Sequence, residues 1–91
     1  MAIARQTRVR PRDFVEEIKA AILRRFPEAT FEVQRRKADE YILHVIADFD
    51  DEEPDASELT SERRMDILEG HDVWIIVLSH DRKQLEALGL S

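Results

Sequence analysis

Cysteine is absent from this chain, which excludes disulfide scaffolds, thiolate metal sites and cysteine nucleophiles at the outset. Glycine is scarce. The two present leave little room for phosphate-cradling loops, and neither Gly-x-Gly-x-x-Gly nor Gly-Lys-Ser/Thr occurs. Ser57, Ser61, Ser79 and Ser91 all stand outside a Gly-x-Ser-x-Gly elbow, so nucleophilic catalysis finds no support. No pair of histidines has the i, i+4 spacing that a helical zinc site uses. Apolar runs stay well short of the ~18 residues that suggest a membrane span. The amino terminus is Arg-rich and has no apolar h-region, so a cytoplasmic protein is expected.

What is present is a short, well-patterned chain. Ninety-one residues make one domain that buries roughly 60–65% of its unfolded surface. The net charge of −6 hides an asymmetry. Residues 1–12 carry Arg5, Arg8, Arg10 and Arg12 without an acid, and read as a solvated, flexible basic arm. Residues 48–58 carry only acids. The folded domain is expected over residues 13–91.

The run Val73-Trp74-Ile75-Ile76-Val77-Leu78 is the sharpest structural signal, because it does not alternate. A strand with one wet face alternates apolar and polar residues. This one therefore needs both faces covered, as a central parallel strand or a strand at a subunit interface.

Before it, Val15, Ile18, Ile22 and Phe26 predict a helix over 13–26, with Asp13 and Glu16 in capping-box spacing and Pro27 ending it. Ala29 to Gln34 alternates like an edge strand, and Lys37 to Glu40 is the hairpin connection. From Tyr41 to Phe49 the odd positions form one apolar face and Ile42, His44, Ile46 and Asp48 form a mixed one. A second helix runs from Asp55 or Ser57 to Glu69, with Gly70 as its C′ residue. The strand 72–79 and a short helical tail from Arg82 to Leu90 complete the chain.

The expected fold is therefore a single α+β domain of order α-β-β-α-β plus a short C-terminal helix. Its three-stranded sheet is mixed: a hairpin joins the first two strands, and a helical crossover makes the last two parallel. The helices cover mainly one face. The core is expected to hold Val15, Ile18, Ile22, Phe26, Phe31, Val33, Leu43, Val45, Leu68, Ile75 and Val77.

Three surfaces suggest function. If strands two and three run parallel, Asp48, Asp50 and His80 meet at their carboxyl ends, and carboxylates with imidazole suit a divalent cation. Read blandly, the acidic loop is simply kept in water. Arg5, Arg8, Arg10, Arg35, Arg36 and Lys37 are candidates for a phosphate backbone, although the acidic chain and the lack of interleaved aromatics argue against nucleic acid. The second sheet face, with Ile42, His44, Ile46, Trp74, Ile76 and Leu78, is too apolar for water and suggests a homodimer with Trp74 as its anchor. His44 there is either a partner-facing group or a structural histidine with a satisfied hydrogen bond.

Arg25-Phe26-Pro27-Glu28-Ala29 before a strand pair, an acidic loop, a helix and Asp72 through Ser79 resemble the element order of the minimal nucleotidyltransferase core, over about residues 13–88. That family's motifs are missing. Gln34-Arg35-Arg36 replaces its Gly-Ser pair, Asp39-Glu40-Tyr41 offers no Asp-x-Asp, and Asp48-x-Asp50 ends its strand instead of starting it. The resemblance implies a member without nucleotidyl transfer, and no catalytic residue carries over. The expected function is a non-catalytic interaction or regulatory module, such as the small partner of a two-gene system, with no cofactor. The alternatives are a metal- or phosphate-dependent enzyme built on the acidic cluster, and nucleic-acid binding through the basic groups.

Overall fold

The computed structural model describes residues 10–89, and its first helix, α1, spans Pro11–Arg25. Proline is well placed at the first helical position, where its missing N–H has no intrahelical partner to lose. Asp13 is thus the third helical residue and not the cap. Its carboxylate accepts the Arg10 backbone N–H at 3.1 Å. Of the arginines expected in a basic arm, Arg12 belongs to the helix, Arg10 stands just before it, and Arg5 and Arg8 lie outside the described residues. Phe14, Val15, Ile18 and Ile22 are buried, as their spacing predicts. The helix stops before Pro27.

Strand β1, Thr30–Lys37, pairs antiparallel with β2, Glu40–Ala47, and β2 pairs in parallel with β3, Trp74–Asp81. The strand order is β1-β2-β3. The central strand is therefore β2, and the most apolar run of the chain forms an edge strand. Helices cover one face of that run, burying Val73, Ile75 and Val77, but among the described residues the strand has no outer neighbour. Its apolar second face does not face a helix layer.

Helix α2, Ala56–His71, supplies the crossover. Asp55 caps it, accepting from the Glu58 N–H at 2.9 Å while Glu58 reaches back to the Asp55 N–H. The predicted end at Gly70 is not observed. The helix runs on to His71, and Asp72 takes the left-handed conformation at φ 59°. Aspartate is among the few non-glycine residues that tolerate it. The terminal helix α3, Arg82–Ala87, is shorter than its pattern suggests, and Leu90 lies outside the described residues.

The core unites Phe14, Val15, Ile18 and Ile22 of α1, Ala56 and Ile67 of α2, and Tyr41, Leu43, Val45, Ile75 and Val77 of the sheet, with Val73 just before β3. Phe26, Phe31 and Phe49 pack partly against it. Val33 was expected in the core but is 41% exposed. It pairs with Leu43 and so lies on the helix-covered side, but on an outer strand beyond the reach of the helices. Ile67, not Leu68, is the fully buried residue of α2's last turns.

No helix among the described residues is long and apolar enough to cross a membrane.

Candidate functional site

The register of the sheet places Ile42, His44 and Ile46 of β2 in rows with Ile76, Leu78 and His80 of β3, and with Gln34, Glu32 and Thr30 of β1. Alternation puts all of these on the face opposite the helices. Trp74 begins the face at 52% exposure and Leu78 is 41% exposed, while Ile42, His44, Ile46 and Ile76 are half-buried. All six residues expected at an interface therefore share one surface. Lys83 and Gln84 sit at the strand ends beside Asp48 and Asp50, and Leu88 is 71% exposed.

Within this face lies a contact that sequence reasoning missed. His44 Nδ1 and His80 Nε2 form a hydrogen bond at 3.0 Å, one ring donating and the other accepting, with the rings stacked at 24° and their centroids 5.2 Å apart, so His44 has the partner expected of a structural histidine. His44 stands opposite Leu78, which makes His80 its diagonal neighbour one pleat on. Helical spacing rules cannot find such a pair, because the two residues are 36 positions apart on different strands. The usable signal is register. Once β2 and β3 are taken as parallel with Ile42 beside Ile76, the two histidines fall on one face.

The expected cation site is only partly assembled. Asp48 and Asp50 line one cleft of about 530 Å³ with Phe49, Asp51, Asp81, Lys83 and Gln84. His80 is not among its lining residues and turns instead to His44. Asp50 accepts the Glu52 N–H at 3.0 Å, and Asp81 caps α3 by accepting the Lys83 N–H at 3.1 Å. Among the described residues, no three histidine or carboxylate side chains converge as a metal-holding group.

The basic candidates among the described residues are Arg10, Arg35, Arg36 and Lys37. Arg35 donates to the Lys37 carbonyl at 3.3 Å, and Arg36 and Lys37 lie 3.5 and 4.0 Å from Glu40. Arg10 stands at the start of α1, where Asp13 accepts its backbone N–H.

Two further groups hold the platform. The Arg63 guanidinium donates to both Glu17 oxygens, joining α2 to α1. Those hydrogen bonds, with the arginine's charge, hold the Glu17 carboxyl below the usual glutamate range. Arg64 is half-buried, and its burial pushes the guanidinium's pKa down while Asp55 opposes the shift. It donates to Thr60 Oγ1, the Ser57 carbonyl and hydroxyl, and the Ile75 carbonyl at 2.7–3.1 Å. Arg64 thus ties α2 to β3. Its signal in sequence is the Ser57, Thr60, Arg64 spacing, which places all three on one helix face.

Comparison with protein families, curated proteins and solved structures returns no match for this chain.

Proposed function

We propose that this chain is a non-catalytic interaction module that pairs with a second copy of itself through the open sheet face. One observation carries the reading: five large apolar side chains and two histidines share a face whose opposite side holds both long helices. Apolar patches of this kind on small domains usually mark a contact site. A second copy suits it on electrostatic grounds. Each chain carries −6, so two copies repel except where they meet through a surface nearly free of charge. The charges on this face lie toward its margins: Glu32 on the outer strand, and Glu40 opposite Trp74, which pairs with Arg36 at 3.5 Å.

Size sets the expected strength. Three strands of eight residues give a face of roughly 25 by 15 Å. Two such faces remove on the order of 1,000 Å² from water, near the lower bound of a specific interface. An area at that lower bound belongs to a weak, reversible twofold pairing.

Sedimentation equilibrium across the micromolar range should show a reversible monomer–dimer equilibrium of the 10.7 kDa chain. Ile76→Asp should give a folded monomer, because pairing would bury a carboxylate without a partner. A clean monomer at all concentrations, or an Ile76→Asp dimer of unchanged affinity, contradicts the reading. The same sample separates the competing functions. Saturable Mg²⁺ or nucleotide binding lost in Asp48→Asn with Asp50→Asn favours an enzyme. A salt-sensitive RNA or DNA shift favours phosphate-backbone binding.

A further inference from the structure

We propose that His44 Nδ1 and His80 Nε2 form a two-imidazole chelate for a zinc-class divalent ion, completed by the same pair from a second copy. The inference rests on the face-to-face pairing proposed above and adds a ligand to it.

Distance is the first argument. Metal–imidazole bonds of about 2.0–2.1 Å place two ligand nitrogens roughly 2.9 Å apart at a right angle and 3.4 Å apart at the tetrahedral angle. The observed 3.0 Å falls within that span. No rotamer change is needed to bring the nitrogens together. Binding replaces the proton of the His44–His80 hydrogen bond: with Nε2–H on His44 and Nδ1–H on His80, both facing lone pairs are free, and a turn of the rings aims them at one ion.

Ligand chemistry is the second. With no cysteine in the chain, thiolate-selective ions are not favoured, while imidazole suits zinc, nickel and copper. A hard oxygen-seeking ion has no reason to prefer this spot over the acidic cleft.

Completeness is the third. Zinc takes four ligands in closed sites, and one chain brings two imidazoles together here. The other described histidine, His71, packs its ring on Phe14 at 4.6 Å on the helix side of the molecule. A twofold axis near the pair repeats it, giving four imidazoles from two chains. Ile46 and Leu78 flank the site and keep water from competing. The charge of −6 on each chain offsets that of the cation.

The test uses the full chain stripped with EDTA, then titrated with ZnCl₂ by calorimetry and sedimented with and without zinc. The expected result is one zinc per two chains and a tighter dimer. His80→Asn and His44→Asn should each weaken zinc binding at least about tenfold, since even an outer partner of a ligand is worth that much. Titrating each variant at a protein concentration where it is dimeric in EDTA separates the loss of a ligand from a loss of pairing. A dimer in EDTA without saturable zinc uptake overturns this inference and leaves the pairing intact. Zinc bound once per chain, or equally well by His80→Asn, overturns it too. A chain that stays monomeric with and without zinc overturns both.

Discussion

Arg64 satisfies four acceptors with one guanidinium, and Thr60, 1% exposed, donates to the Ala56 carbonyl at 2.8 Å while accepting from Arg64 at 3.1 Å. This small network, and not a stripe of leucines, seats α2 on β3. Removing either partner strands polar groups in a half-buried seam. Thr60→Val and Arg64→Met should each lower the unfolding free energy by about 1–3 kcal/mol, read by urea denaturation. The double variant should lose less than the two single losses added together, because both break the same bonds. Strict additivity would show that the network is not a unit.

At the scale of elements, the contact between α1 and α2 includes an ion pair whose strength depends on pH. The Glu17 carboxyl is held below its ordinary value of 4.5 by hydrogen bonds from Arg63. A depressed acid contributes stability above its unfolded pKa and loses it as the pH falls through the folded one. Glu17→Gln should therefore lower the Tm slightly at neutral pH, the effect being small because the pair is solvent-exposed. The difference should close as the pH drops below about 4.5. A gap that persists in strong acid means Glu17 acts through packing instead.

The same scale shows how much of the fold could be read from sequence. The periodicity of α1 and the alternation of β2 specify their buried faces directly: Val15, Ile18, Ile22, Leu43 and Val45 are all buried. Helix α2 was harder to place, because its inner face carries Ala56 and Thr60 while Leu59 and Met65 lie exposed. Hydrophobic spacing cannot identify a face made of small and polar residues. The position of β3 was also hidden. An apolar run shows that both faces avoid water, but not whether a strand or a partner lies beside it. The six interface candidates share a face because pleating alone decides that, whereas the His44–His80 contact needed the register between strands.

At the scale of the molecule, both long helices among the described residues lie on one side of the sheet. The two outer strands also differ. β1 carries Glu32, Arg35, Arg36 and Lys37 and a register slip between Arg35 and Lys37, devices that discourage edge pairing. From Trp74 to Leu78, β3 has no charge and no proline, and its nearest polar guard is Arg64 on the Ile75 carbonyl. Apolar side chains that could have been polar at no cost to the core lie on the open face, and the proposed pairing explains them. Trp74 is the chain's single tryptophan and stands at the head of that face, so it reports on coverage without any label. Its emission and its quenching by iodide, followed from nanomolar to high micromolar protein, test the central claim directly. If a second copy covers the face, emission shifts to the blue and quenching weakens with concentration, and Ile76→Asp abolishes both changes. Emission and quenching that stay at their dilute values across the whole range would contradict it.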